Sequence, residues 1–415
     1  MDTNLVFLLV SVIIIVGFAG DRMFKKTAVP PFIFLILMGV FLGPIFHILS
    51  RGTFTPILGI FGELTLSMIL FYAGLDTNLA ALRVTGNRAF LQVFLYVIMS
   101  IIAITSVMYF LVHWAFFESL IFSSIIGGET TAVVVVPLSK SKGISENLGH
   151  FLVVETALNS ILTVIFFFSF VDMYQTGTYA LYPVVATIVA NFSVSIVIGL
   201  ATSLVWLRIL QRFSAQRYTY VLTLGLLLLS FVAASEFGGT GIFAVVVFGL
   251  VLGNYKVADT AMGRNFDMSR LLGQLKVFQE EMSFLMTTLF FVFLGLMVVI
   301  DVAYLYFDLV VCLGLIGVLF SMRYIALYVS THGTPMSTEK RVAVLFIAQG
   351  LTPATLSVLA YSMGLPMSNT YLALVSFVIV FTNIITTAGI YRKTRTKGSG
   401  FSEFMTNLGA QNTEQ

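Results

Sequence analysis

Cysteine occurs once in the 415 residues, as Cys312 inside an apolar run. A disulfide framework and a cysteine-ligated metal site are thereby excluded. Charge is equally scarce: Asp, Glu, Lys and Arg make up 10% of the chain, against about a quarter of an ordinary soluble domain. That excludes a cytosolic globular fold. Also missing are a nucleotide-binding glycine loop, a low-complexity tract, a nucleic-acid signature, a serine-elbow motif, paired intramembrane aspartates and a histidine cluster. His113, His150 and His332 fall in or near loops, and none pairs at metal spacing. Neither an enzyme, a bound cofactor nor a nucleic-acid partner is expected.

What fills the chain is apolar residues, 58% of the total. Runs of roughly 18 or more recur from end to end, each long enough to cross a hydrocarbon core of about 30 Å. With no water to satisfy peptide groups, a span must be a helix or part of a closed barrel, and these runs are too long and uniform for barrel strands. The fold expected is an all-α polytopic membrane protein with lipid as its solvent. Thirteen spans are read at 3-20, 30-48, 55-75, 89-112, 116-138, 147-171, 180-207, 218-236, 238-254, 278-300, 302-330, 341-362 and 370-391. The ninth is the shortest and follows Gly238 and Gly239, as a tilted or partly broken helix would. The first run has no basic residues before it and no small-residue cleavage site after it, and is expected to be a retained span and not a signal peptide. Residues 1-392 then form a single transmembrane unit with a short polar tail at 393-415, and function lies within the membrane.

The positive-inside rule tests this division independently, since Lys and Arg should gather in alternate loops. One set of loops holds Arg22, Lys25, Lys26, Arg83, Arg88, Lys140, Lys142, Arg208, Arg212, Arg217, Lys256, Arg264, Arg270, Lys276, Lys340, Arg341 and the group from Arg392 to Lys397, twenty of the 22 basic residues. The other set has only Arg51, and Arg323 is left inside a span. The N-terminus is expected outside and the C-terminus in the cytoplasm.

Two spans carry an internal echo. Gly128-Glu129-Thr130-Thr131-Ala132 in the fifth and Gly350-Leu351-Thr352-Pro353-Ala354 in the twelfth both read G-x-T-x-A near mid-span. Each puts Gly, Thr or Pro where a continuous helix would favour Leu or Ala, so Gly128, Gly350, Thr352 and Pro353 are candidate helix breaks. The two spans run in opposite directions, as in inverted-topology repeats with crossed discontinuous helices. The plainer alternative is a chance match of small residues that permits close helix packing.

Ionisable groups in a bilayer cost roughly 2.5 to 3.5 kcal/mol each on insertion scales, so they are functional candidates by default. Three stand out: Glu129 at the proposed break, Glu155 in the first third of the sixth span, and Arg323 in the eleventh. Asn159 follows Glu155 by four residues and shares its helix face, with Ser160 adjacent. Arginine keeps its proton, so its cheapest buried arrangement is a pairing with one carboxylate, leaving the other unpaired. An unpaired carboxylate in low dielectric takes either a proton or a dehydrated cation, which is the essence of antiport. Glu129, Thr130, Asn159 and Ser160, with Thr131 and freed carbonyls, would make an oxygen shell for Na⁺ or K⁺. Glu155 and Arg323 also fit a purely structural bridge, and Thr130 and Thr131 also fit back-bonding at a helix bend. Glu63, Glu236, Glu280, Glu281 and Asp308 fall near span ends, where solvation explains them.

These residues resemble the monovalent cation:proton antiporters of the sodium/hydrogen exchanger superfamily, especially the thirteen-helix prokaryotic and archaeal branch. Glu155-Thr156-Ala157-Leu158-Asn159-Ser160 is similar to that family's Glu-Ser-x-x-Asn-Asp, and Gly128 to Ala132 falls where it has Thr-Asp-Pro or Gly-Gly-Thr-Ser-Ser. "LILMGVFLGP", "FYAGLD", "GIFAVVVFGLVLGN", "EEMSFLMTTLFFVFLGL" and "AQGLTPA" extend the likeness along nearly the whole chain. The resemblance implies a core of crossed broken helices (about 89-171 and 302-391), a scaffold and dimerisation part (about 3-75 and 180-300), elevator-like movement, a homodimer in the plasma membrane and a part in pH homeostasis. It makes Glu155 and Arg323 a structural ion pair, and Asn159 and Thr130 lining of the ion site. Three departures matter: Ser160 replaces the sixth-helix aspartate, Thr131 the aspartate of Thr-Asp-Pro, and Gln349 the twelfth-helix arginine. Glu129 restores one carboxylate nearby and is expected to carry the exchanged proton, with Glu155 as second candidate. The competing expectations are an uncoupled cation channel or uniporter on the same fold and an exchanger of another solute.

Overall fold

The computed structural model describes residues 3–27, 30–49, 51–77, 79–131, 134–135, 145–177, 181–213, 218–257, 268–299 and 303–395. Among them there are helices and no strand. In chain order these are α1 (Thr3–Thr27), α2 (Pro31–Val40), α3 (Arg51–Asp76), α4 (Leu79–Phe110), α5 (Phe116–Ile126), α6 (Glu146–Thr176), α7 (Leu181–Phe213), α8 (Thr219–Glu236), α9 (Gly241–Gly253), α10 (Ser269–Met297), α11 (Leu305–Ser330), α12 (Lys340–Ala343), α13 (Leu351–Ser362) and α14 (Ser368–Arg395). Nine are long and apolar enough to cross a membrane, and three shorter apolar segments, at Pro31–Ile45, Phe116–Ile126 and Gly241–Gly253, fall in the second, fifth and ninth spans. The chain is a multi-pass membrane protein, and among the described residues these twelve segments, with α13 in the twelfth span, follow the division read from the sequence.

Local chemistry explains where elements begin and stop. Pro31 opens α2 at a position whose N–H has no helical partner anyway. Pro44, unable to donate, lies in a π-helical turn over Phe41–Ile45 that ends the second span. The ninth span proves to be a short but unbroken helix, starting at Gly241 just after the turn at Gly238 and Gly239. The tenth begins at Ser269, nine residues before its expected start, because Arg270 and Lys276 are carried on its polar first turns. The last runs to Arg395, and the remaining tail lies outside the described residues. Glu63, Glu280 and Glu281 sit well inside α3 and α10, not at their ends.

The chain divides into two compact units. One comprises residues 1–62, 83–170 and 287–415; the other 63–82 and 171–286. The expected partition differs from this in placing residues 3-62 and 287-300 with the scaffold. Two kinds of contact are involved: Phe32 of α2 stacks on Phe291 at 4.9 Å, joining these stretches to each other, and Arg51 of α3 donates to Asn369 Oδ1 of α14 at 3.0 Å and lies 5.8 Å from the Tyr361 ring centroid of α13, joining them to the rest of the first unit. The second unit has its own core around Phe71, Trp206, Leu210, Phe248, Leu252 and Leu272. Its helices are also joined by polar contacts, Trp206 Nε1 donating to Thr223 Oγ1 at 3.1 Å and Gln279 Nε2 to the Met68 carbonyl at 2.9 Å.

Candidate ion-binding site

The first unit contains two interrupted spans. In the fifth, α5 stops at Ile126 and the chain runs extended, with Gly127 at φ −74°, ψ 99° and Gly128 at φ +83°. Only glycine adopts that second conformation cheaply, and a Cβ there would lie 2.7 Å from Val97 Cα of α4. In the twelfth, α12 ends at Ala343 and residues 346–350 belong to no helix before α13 begins. Gly128 and Gly350 therefore stand in unwound chain. Thr352 and Pro353 do not: both belong to the first turn of α13, where proline is tolerated because first-turn N–H groups have no helical acceptor. Ala132 lies outside the described residues.

The breaks meet and complete each other's hydrogen bonding. Thr131 N–H donates to the Ala348 carbonyl at 2.7 Å, and Gln349 Nε2 donates to the Ile126 carbonyl at 2.6 Å. A methyl group on Gly350 would overlap the Thr131 side chain, so the close approach requires glycine. From the other side α14 serves the same backbone: Gln349 N–H donates to Thr382 Oγ1 at 3.1 Å, Ile347 N–H to Thr386 Oγ1 at 3.3 Å, and Asn383 Nδ2 to the Gln349 carbonyl at 2.6 Å. An unsatisfied peptide group in hydrocarbon costs several kcal/mol, so this matching is what lets helices break at membrane depth.

Glu129 lies in this gap, 2% exposed. Its carboxylate faces the Gly350 N–H and the hydroxyls of Ser160 and Thr352. Its Oε2 has no hydrogen-bond partner. Ser160 Oγ also reaches the Thr156 carbonyl at 3.2 Å, and its single proton serves one acceptor at a time. From α6, Asn159 Nδ2 donates to Thr130 Oγ1 at 2.7 Å, while Asn159 Oδ1 is buried without a donor. Glu129, Thr130, Asn159 and Ser160 are thus brought together, with Thr131 in the backbone contact between the breaks.

Glu155 is engaged by Arg323. Arg323 Nη1 and Nη2 donate to Glu155 Oε1 and Oε2 at 2.6 and 2.9 Å, both residues being 0% exposed. Arg323 Nε donates to the Ala343 carbonyl at 3.1 Å, its guanidinium lies 5.2 Å from the Tyr96 ring centroid, and Gln92 Nε2 approaches Glu155 Oε1 at 3.4 Å. A bidentate pair this dry is costly to break because the survivor would be an unpaired buried charge.

Two participants, Asn383 and Glu339, were not singled out in the sequence, and a third, Gln349, was noted there only as the replacement for an arginine. Asn383 and Gln349 are neutral amides at 0% exposure that carry the twelfth break, and both have an unpartnered side-chain oxygen. An asparagine inside an apolar run was the available signal. Glu339 accepts from Ser145 N–H and Oγ–H at 3.3 and 2.5 Å, and Ser145 Oγ in turn accepts from Leu148 N–H at the start of α6.

A family model for the transmembrane sodium/hydrogen exchanger matches residues 8–392. The chain is 30% identical over 171 residues to the low-affinity Na⁺/H⁺ antiporter NhaS1 of Synechocystis sp., covering 40% of this chain and 31% of that protein. It is 26% identical over 342 residues to the K⁺/H⁺ antiporter NhaP2 of Shewanella sp. strain MR-4, covering 79% and 56%. The chain thus spans about half or less of the length of these relatives. Among solved structures it is similar to the sodium proton antiporter MjNhaP1 of Methanocaldococcus jannaschii, with a TM-score of 0.78 at 16% identity, covering 94% of this chain and 100% of that one. At that identity the likeness speaks for the fold.

Proposed function

We propose, from the premise that this chain belongs to the transmembrane sodium/hydrogen exchanger family, that it exchanges a monovalent cation, Na⁺ or K⁺, for protons. The observation that carries the reading is the Glu129 carboxylate, buried where two helices are broken, with one oxygen unpartnered and with the next residue, Thr130, hydrogen-bonded to Asn159. A bare charge there is expensive, so either a proton or a cation neutralises it, and arrival of one expels the other. Thr130, Thr131, Asn159 and Ser160 supply neutral oxygens, as a hard alkali cation prefers. Glu155 is already spent on Arg323. One free carboxylate then carries one cation or one proton, and the exchange is electroneutral.

The relatives' names, one a Na⁺/H⁺ and one a K⁺/H⁺ antiporter, support both cations as candidates. Alternating access by an elevator-like movement, a homodimer, a plasma-membrane location and an outside N-terminus complete the reading. The test is purified protein in proteoliposomes under an imposed pH gradient, assayed against a panel of monovalent chlorides. Cation-dependent proton flux that requires a cation on the opposite side is expected, falling to background in Glu129→Gln. Cation flux without counter-flow would replace exchange by an uncoupled pathway, and unchanged flux in the variant would remove Glu129 from the mechanism.

A further inference from the structure

Two buried amides at the twelfth-span break each have a nitrogen end engaged with backbone carbonyls and an oxygen end unanswered. Gln349 Nε2 donates to the Ile126 carbonyl at 2.6 Å; Asn383 Nδ2 donates to the carbonyls of Gln349 and Ile379 at 2.6 and 2.7 Å. These contacts fix which way each amide lies, because a flipped amide would press its oxygen against a carbonyl oxygen at the same distance. The oxygens are therefore turned away from the backbone, and neither Gln349 Oε1 nor Asn383 Oδ1 meets a donor. Both side chains are 0% exposed. Gln349 immediately precedes Gly350, whose N–H faces the Glu129 carboxylate, and its own N–H is held by Thr382 of α14. Two oriented carbonyl dipoles without donors, at the break whose Gly350 N–H faces the Glu129 carboxylate, are the ligands a dehydrated cation takes from a protein.

We propose that the side-chain oxygens of Gln349 and Asn383 coordinate the transported alkali cation at the twelfth-span break and set which alkali cation is favoured. The proposal rests on the exchange reading above and adds two residues to it. Neutral oxygens discriminate among ions of one charge through their number and spacing, whereas Glu129 supplies charge common to all of them. Removing one such oxygen changes the apparent affinities for Li⁺, Na⁺, K⁺ and Rb⁺ unequally. A role confined to supporting the helix break would scale all four by one factor.

The experiment measures cation-dependent proton flux in proteoliposomes for the four ions, in the unaltered protein and in Gln349→Met and Asn383→Ser. A change of at least threefold in the K⁺-to-Na⁺ ratio of apparent KM is the expected result in either variant. Equal scaling of all four ions in both variants overturns the proposal. Should Gln349→Met not accumulate, Gln349→Asn withdraws the same oxygen by one methylene and is read in the same way. No flux with any cation in the unaltered protein would sink the exchange reading itself, an outcome distinct from unchanged ratios in an active exchanger.

Discussion

Arg323 is the residue whose surroundings leave it least freedom. Its three donating nitrogens are committed to Glu155 and to the Ala343 carbonyl, and no part of it is exposed. Glu155→Gln would leave a guanidinium in a dry interior with an amide in place of its counter-charge. A loss of about 3–5 kcal/mol is expected for breaking a buried pair this way, read as a lowered melting temperature in detergent. Removing both charges, in Glu155→Gln with Arg323→Met, should cost less than the sum of the single changes, and additive losses would mean that the two side chains do not act as a pair. Glu129→Gln should behave in the opposite manner. It removes no ion pair and leaves the Gly350, Ser160 and Thr352 contacts an acceptor, so melting should stay within about 1 kcal/mol in stability while exchange disappears. The contrast between these carboxylates was partly legible in the chain: an arginine that cannot shed its proton must take one acid and leave the other. Which acid it takes was not legible from composition, since the pairing spans 168 positions and is settled by how α6 and α11 pack.

At the scale of elements, the breaks were visible as glycines in apolar runs, but their extent was not. The unwound stretch before α13 ends at Gly350 because Thr131 occupies the space a side chain would need there, a tertiary fact that moved Thr352 and Pro353 into the helix. Gly128 offers a measurement with its own control. Gly177 has a similar backbone, φ +65°, but open space around it, so Gly177→Ala pays only the left-handed penalty of about 1–2 kcal/mol. Gly128→Ala pays that and the overlap with Val97 as well. A larger drop in melting temperature and in exchange rate for Gly128→Ala is expected; equal drops would mean that α4 does not brace the break. The short helix α12 is tied at both ends to α6, through Glu339 and Ser145 at one end and through Ala343, Arg323 and Glu155 at the other. Ser145→Ala and Glu339→Gln should therefore each raise the apparent KM for the cation, and the double variant should be no worse than the more damaging single one. Nothing in the sequence marked Ser145 and Glu339 as partners across 194 positions, because a serine in a polar loop and a glutamate beside Lys340 read as ordinary solvated groups.

For the molecule as a whole, the strongest constraint is electrostatic. The proposed orientation puts twenty basic residues in cytoplasmic loops and one in the others, and with an odd number of spans it would place the termini on opposite faces. The helix α11 gives the cleanest test, because its 26 residues are about 39 Å long, more than the hydrocarbon core it must cross. Exposed residues flank it: Tyr304 just before its start and His332 just past its end. The only native cysteine, Cys312, is fully buried within the same helix, so Cys312→Ala provides a background in which single reporters can be placed. In intact cells a membrane-impermeant maleimide should modify Tyr304→Cys, and should modify His332→Cys only after permeabilisation. Labelling with the two positions reversed would invert the assigned orientation while keeping every span. Labelling of both from the same side would mean that α11 does not cross, and the buried Arg323 it carries would then need a different account.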